Sequence, residues 1–296
     1  MTVLALEIGS SGFAAGQVAD NVGADAIRRI PLPSTEPWNG CRDLLLEVAA
    51  GTEVTAVGIA CSGPIDMAAG VVACAQIPQW RAGFLLVEAV QKLFPTAAVR
   101  VALDGVCLAL AERTLGDAHD VMDALAISIS DHISGGVILG GCAVVGRTGN
   151  AGSVAHMLVP GFDERCECGG RGCVDAVASG RAIRSWARDR GWAGDSLAAL
   201  LTAAQSGDEI TAAALGRAGI ALGKAISSTA ALLDLDLVVI SGSVATVGAP
   251  LWRPLGEAVA GHARPGYLAG LRIIPSKIDG LGALAGAGIL ALMGNK

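Results

Sequence analysis

Aromatic and charged side chains are both scarce in this 296-residue chain, which has five Trp, four Phe, one Tyr and only 16% Asp, Glu, Lys and Arg. A core with so few rings must be built from Ala, Val, Leu and Ile, and 41 glycines let backbones approach closely. A net charge of −6 leaves no basic footprint for nucleic acid or an anionic membrane surface. No apolar run reaches the roughly 18 to 20 residues of a membrane span. The two nearest to it, GGVILGGCAVVG (135–146) and LGALAGAGILALMG (281–294), are shorter and broken by glycine. The chain opens on TVLALEIG, without the basic region and cleavage site of a secretory signal. Eight cysteines at uneven spacing, with no export signal, point to a reducing compartment, so the expectation is a cytoplasmic protein. This length suggests about two domains, or one large two-lobed unit.

TVLALEI alternates apolar residues around Glu7, then meets the turn GSSG and FAAGQVA: strand, tight turn, strand. VTAVGIACSG (54–63) reads as a buried strand ending in the Gly-Pro turn SGPID. Residues 97–116 read as a strand to Leu103, a loop at Asp104-Gly105 and a helix closed by Gly116. A second hairpin follows in DALAISISDHISGGVILGG (123–141). LALEIGSSG set under LAISISDHI shows the same apolar run, polar interruption and turn at the same offset. Two such hairpins, each opening an α/β half, imply a duplicated architecture with a cleft between the halves. Chance is the competing explanation in so Ala/Gly-rich a chain. Residues 178–232 are helical in period, with an exposed turn at 207–209. LDLVVISGSVATVG (235–248) is a buried strand running into a glycine turn, and GLRIIPSKI and LGALAGAGILALMG supply a last strand and helix. Strands and helices alternate throughout, which defines an α/β fold.

The stretch RCECGGRGCVDAV (165–177) sets Cys166, Cys168 and Cys173 as C-x-C-x4-C, with His156 ten residues before the first. Three thiolates and one imidazole complete a tetrahedral zinc shell of the closed, structural type, and the intervening glycines let the backbone wrap around an ion. The competing reading is a set of ordinary buried thiols with His156 in the core; the spacing favours zinc. A Ser/His/Asp or Cys/His nucleophile lacks an elbow motif.

The longer segment NAGSVAHMLVPGFDERCECGGRGCVDAVASGRAI resembles the signature of the ROK family, which comprises bacterial sugar kinases and sugar-responsive repressors. In that signature a histidine precedes C-x-C-G-x-x-G-C, an acidic residue and a small-residue helix start. Weaker matches fall in family order along the whole chain: ALEIGSSGFAAGQV at the first phosphate hairpin, GIACSGPID at a Gly-Pro turn, IPQW on the sugar side, ALDGVCLALAE at a strand–Asp–helix junction, VVISGSVATVG at the adenosine loop, and GALAGAGILAL as the final helix. The resemblance implies a two-lobed, actin-like ATPase fold with duplicated α/β lobes, a structural zinc loop, and ATP and sugar in the cleft. The smaller lobe would take residues 1–116 plus about 281–296, and the larger 117–280 with the zinc and adenosine loops.

The same resemblance implies ATP-dependent phosphorylation of a sugar hydroxyl, with ATP, Mg2+ and structural Zn2+ bound. Asp104 matches the general base; without the family it reads as a helix N-cap. Glu7, Gly9, Ser10 and Ser11 stand at the first phosphate hairpin, Asp131 and Gly135 at the second, and Gly242 at the adenosine loop. His156 would serve both zinc and a sugar hydroxyl, with Asp175, Ser153 and Gln76 as further sugar-side groups. Asp175 stands where the family has Glu, and read alone it is a solvated acid at a helix start. Phosphoryl transfer rests on positioning and charge neutralisation, so departures from the pattern matter. Asp-x-Gly-Gly-Thr-Lys becomes Glu7-Ile8-Gly9-Ser10-Ser11-Gly12, which drops a cation at Gly12. Gly-Thr-Gly becomes Ser130-Asp131-His132, placing a carboxylate where phosphate oxygens should lie, a costly repulsion unless Mg2+ or His132 intervenes. On the sugar side an Asn becomes Leu103 and a Glu becomes Ser153, favouring a less hydroxylated, N-acetylated or otherwise altered sugar over glucose.

Two functions follow. One is an ATP-dependent sugar kinase of unusual specificity; the alternative is a catalytically impaired relative that binds a sugar or metabolite without phosphoryl transfer. The family's repressors carry a helix-turn-helix before the first hairpin, whereas this chain begins its hairpin at Leu4 and has no basic recognition helix. No nucleic-acid or membrane partner is expected. A homo-oligomer, dimer or higher, is usual for the family.

Overall fold

Each hairpin opens a five-stranded mixed sheet in a computed structural model that describes residues 2–18, 27–278 and 280–293. The chain divides into two units: Met1–Leu115 with Ala143–Gly152 and Leu281–Lys296, and Gly116–Cys142 with Ser153–Gly280.

In the first unit, β1 (Thr2–Ile8) and β2 (Gly12–Gln17) form the antiparallel hairpin, and β3 (Arg28–Pro31) pairs with β2. Helix α1 (Pro37–Ala49) leads into β4 (Val54–Cys61), parallel to β1. A small two-stranded sheet of β5 (Ile65–Asp66) and β6 (Val71–Val72) follows, then α2 (Leu86–Leu93) and β7 (Ala98–Leu103), parallel to β4. The sheet order is β3-β2-β1-β4-β7. Leu4, Ala5, Leu6 and Ile8 are fully buried, since a strand in the middle of a sheet covered on both faces reads as a continuous apolar run. Helix α3 (Asp104–Thr114) starts directly at the end of β7, without the loop expected at Asp104-Gly105, and its C-cap is Leu115 rather than Gly116.

The C-terminal helix, Gly282–Leu292, explains the small-residue run at the end of the chain. It lies against β4 and α3 so closely that a Cβ on Gly58 would fall on the Ala287 carbonyl oxygen, and one on Gly286 would fall on that of Cys107. No helix among the described residues is long and apolar enough to cross a membrane. The scarce rings are pooled: Phe13, Trp80 and Phe84 stack with centroids 6.0 and 4.6 Å apart, and Trp38 tilts against Phe84 at 5.8 Å. Residues 143–152 lie within the stretch 117–280 in sequence but belong to this first unit. Asn150 explains why: its Nδ2 donates to Ile65 O at 2.7 Å and its Oδ1 accepts from Ile65 N at 2.9 Å, holding the turn after the cis Gly63–Pro64 bond.

The second unit repeats the sheet plan. The hairpin β8 (Ala124–Ile129) and β9 (Ile133–Leu139) is extended by β10 (Cys142–Ala143). After α4 (Val174–Ala178), α5 (Gly180–Arg188), α6 (Leu197–Gln205) and α7 (Glu209–Leu233) comes β11 (Leu237–Ser241), parallel to β8. Helix α8 (Ala249–His262) and β12 (Arg272–Pro275) complete the order β10-β9-β8-β11-β12. The helical stretch from 178 is thus several helices, three of them opened by side-chain caps: Ser179 accepts from Ala182 N, Ser196 from Ala199 N and Asp208 from Thr211 N.

Candidate functional site

Ile8, Cys61 and Leu103 stand side by side at the C-terminal ends of β1, β4 and β7. The residues that follow them, Gly9, Ser62 and Asp104, therefore leave the first sheet along one edge, where open α/β sheets bind ligands. Asp104 is half-buried and is the first helical residue of α3, with Leu103 as the N-cap. Its Oδ1 accepts from Gly105 N at 2.6 Å. Burial pushes the Glu7 carboxyl above 4.5, with Arg29 opposing. Burial, then the charges of Asp104 and Glu7, push the Cys107 thiol upward, so both carboxylates share one electrostatic neighbourhood. Cys61 and Cys74 bring their sulfurs to 3.1 Å, which seats the loop carrying Gln76 against the end of β4. Among the described residues, Ser62 Oγ and Gln76 Oε1 are buried without a hydrogen-bond partner. Orphaned polar atoms beside a strand edge are what a polar ligand would satisfy.

The first hairpin closes on two residues. Gly9 N–H donates to Gly12 O at 3.0 Å around Ser10 and Ser11, and Leu32 N–H donates to Ser11 O at 3.3 Å. Gly12 has no room for a side chain, because a Cβ would fall on the Ile30 carbonyl oxygen of β3.

The second hairpin closes around Asp131: Ser130 N–H donates to His132 O at 3.0 Å. The start of α5 feeds it from outside, with Gly180 N–H donating to Ser130 O at 2.7 Å and Arg181 N–H to Asp131 O at 3.3 Å. Arg184 Nη1 lies 3.7 Å from Asp131 Oδ1. Asp175 is not a solvated acid; it is 5% exposed. Its Oδ1 accepts from Ile133 N at 2.8 Å, while His132 Nδ1 and Arg181 Nη2 lie 3.4 and 3.5 Å from Oδ2. Gly242, at φ 90°, is pressed onto the backbone of Ile129, and Ser243 N–H donates to Ser130 Oγ at 3.4 Å, so the turn after β11 meets this hairpin. Gly135 instead packs beneath Val154, one step inside β9.

His156, Cys166, Cys168 and Cys173 converge, with one ligand atom from each lying within 4.8 Å of all the others. Cys166 Sγ is 3.8 Å from His156 Nδ1, and Cys168 Sγ is 3.8 Å from Cys173 Sγ. A tetrahedral shell with zinc–sulfur bonds of about 2.3 Å has sulfur–sulfur edges of about 3.8 Å, so the donor set fits zinc in type and spacing. Burial pushes the Cys173 thiol up to about 12, whereas the Gly170 N–H, 3.4 Å from Cys168 Sγ, lowers Cys168. His156 ends a 3-10 turn, Val154–His156, closed by its N–H to Ser153 O at 3.2 Å; both Ser153 and His156 are exposed.

Arg181, Arg184, Ser62 and Asn150 carry much of this arrangement and do not stand out as site residues in the sequence. The one visible signal is RAIR after the cap Ser179, which puts two cations on one helix face.

The ROK family model matches residues 3–293, and the chain belongs to the ROK family. A glucokinase from Thermotoga maritima is 27% identical over 98% of this chain and 97% of its own length. An N-acetylmannosamine kinase from Escherichia coli is 32% identical over 82% of this chain and 84% of its own. Among solved structures, a ROK hexokinase from Thermus thermophilus gives a TM-score of 0.80 at 27% identity, covering 99% of this chain and 98% of that one. A ROK family glucokinase from Streptomyces griseus, in complex with glucose and AMPPNP, gives 0.84 at 24% identity over 99% and 100%, and shares the fold. The α/β fold with mixed sheets is thus the actin-like ATPase fold of ROK sugar kinases.

Proposed function

We propose that this protein is an ATP-dependent sugar kinase in which Asp104 is the general base. The single observation that carries this reading is the placement of Asp104: a half-buried carboxylate at a helix N-terminus, on the strand edge that also bears Ser62, in a chain matched over 82 to 98% of its length by sugar-kinase relatives. As the sugar oxygen forms its bond to the γ-phosphorus, the bond to the β-phosphate oxygen breaks, ADP leaves and the hydroxyl proton passes to Asp104. Gly9, Ser10 and Ser11 in one hairpin, Asp131 in the other with Gly135 on its second strand, and Gly242 beside it are the nucleotide-side groups. Mg2+, when bound, neutralises phosphate charge, and Glu7 is the carboxylate that would steer it. His156, Cys166, Cys168 and Cys173 would hold structural Zn2+ and so shape the loop that bears the sugar-side groups His156 and Ser153; Gln76, with its orphaned Oε1, is a further sugar-side candidate. Leu103 and Ser153 offer fewer acceptors than the family pattern, which favours an N-acetylated or otherwise altered sugar. The two units would act as the two lobes of a cytoplasmic homo-oligomer.

A coupled ADP-release assay with Mg·ATP, across hexoses, N-acetylhexosamines and polyols, tests the reading. Sugar-dependent turnover should fall by about 1,000-fold in Asp104→Ala. Silence across the panel in folded, metal-loaded protein would support the second reading, a non-catalytic sugar binder. That reading is favoured by one observation, the buried Asp131 Oδ1, which has no hydrogen-bond partner among the described residues and lies 3.7 Å from Arg184.

A further inference from the structure

Resting on the kinase reading, we infer that Asp175 is a positioning residue of the nucleotide side, anchoring the second hairpin, and not an acceptor for a sugar hydroxyl. Asp175 is 5% exposed, and a carboxylate that deep needs donors for both oxygens. It finds them in the hairpin and beside it: Ile133 N at 2.8 Å on one oxygen, His132 Nδ1 and Arg181 Nη2 at 3.4 and 3.5 Å from the other. The main chain of the α4–α5 junction reinforces this hold through Gly180 N to Ser130 O and Arg181 N to Asp131 O. Residues 130–133 are therefore held from one side by Asp175, Gly180 and Arg181 together.

Arg181 extends the device. Its guanidinium also pairs with Glu167, the residue between Cys166 and Cys168. Asp175 itself follows Cys173 by two residues, at the start of a five-residue helix. The sulfur loop and the second hairpin thus share one buried acid and one arginine. Phosphoryl transfer depends on small displacements of the groups around the phosphates, so slackening residues 130–133 should weaken ATP and leave the sugar alone.

The test compares Asp175→Asn, Asp175→Ala and Arg181→Gln by KM for ATP, KM for the sugar, and amide hydrogen exchange over residues 129–134. Asn keeps an acceptor for Ile133 N but loses the charge facing His132 and Arg181. Its ATP KM should rise about threefold, and that of Asp175→Ala about tenfold or more, each with the sugar KM within twofold of wild type. Exchange over 129–134 should quicken in Asp175→Ala, largely recover in Asp175→Asn, and quicken modestly in Arg181→Gln. A sugar KM that rises while the ATP KM stays put overturns the inference and returns Asp175 to the sugar. If wild type turns over no sugar, the kinase reading fails on its own; unchanged exchange in Asp175→Ala would then still overturn the anchor, and faster exchange would support it. Should the Ala variant not fold, Asp175→Asn and Arg181→Gln decide by the same two readouts.

Discussion

The first hairpin is closed by main chain, the second by main chain and side chains together, although both occupy the same place in the same sheet plan. Between β1 and β2, Gly9, Gly12 and Leu32 bond backbone to backbone, and the only side-chain requirement is that Gly12 have none. Between β8 and β9, Asp175, His132 and the start of α5 grip residues 130–133 from outside. Main-chain closure tolerates new side chains at the tip, as at Ser10 and Ser11, but fixes where β3 must run. Side-chain closure makes the turn hostage to residues more than forty positions away in sequence. Two halves of one plan can thus keep their strands and hold their turns by different physics.

The largest effect should come from the metal loop, and it should reach one hairpin only. Cys168→Ser removes one of four converging side chains that would hold zinc, so the roughly one equivalent of zinc expected in wild type should be lost, with a fall in Tm of about 10 °C. Because Arg181 links Glu167 to Asp175, amide exchange should quicken over 129–134 and stay unchanged over 8–13. Metal analysis finding no zinc in wild type, with all eight thiols titrating freely, would refute the site. Equal quickening in both hairpins would break the comparison.

A smaller effect separates what the family pattern suggests from what the packing allows. Gly12→Lys restores the cation missing from the first hairpin, yet its Cβ would fall on the Ile30 carbonyl oxygen. The backbone at φ 158° is one that L side chains rarely adopt, so dihedral strain adds to the close approach of β3. Overpacking of this kind costs about 2 kcal/mol, so Tm should drop by about 5 °C and the ATP KM should not improve. A lysine variant that is as stable as wild type and binds ATP more tightly would show that β3 yields.

These contrasts also mark how much the sequence discloses. The strands are legible because LALEI and LAISI are local apolar runs bounded by polar turns, and the Cys/His set is legible because its spacing is local too. Even the parallel between hairpins is visible, but not the difference in their turns. Both read as short turns at the same offset, yet Ile8 pairs with Phe13 across four residues whereas Ile129 pairs with Ile133 across three. Long-range side-chain contacts are silent in sequence. Asn150 binds Ile65 across 85 positions, which draws residues 143–152 into the first unit, and Asp175 reaches Ile133 across 42. An acid at a helix start reads as solvated until the packing that buries it is known.

The smallest effect is a pH dependence confined to the first hairpin. Glu7 is the penultimate residue of β1, where β8 has Ser128, and burial raises its carboxyl above 4.5. A carboxyl whose folded value exceeds its unfolded one holds its proton more tightly when folded, so ionisation costs stability as pH rises through the folded value. Glu7→Gln carries no charge to bury. It should melt about 1 to 3 °C above wild type at pH 7 to 8, and the gap should close as pH falls towards 4.5 and wild type becomes protonated too. Its KM for Mg2+ should rise over the same neutral range, since the charge that burdens the fold is the one that would steer the cation. A melting gap that persists at pH 4 would place its origin in packing instead of buried charge, and the two hairpins would then differ in their closure alone.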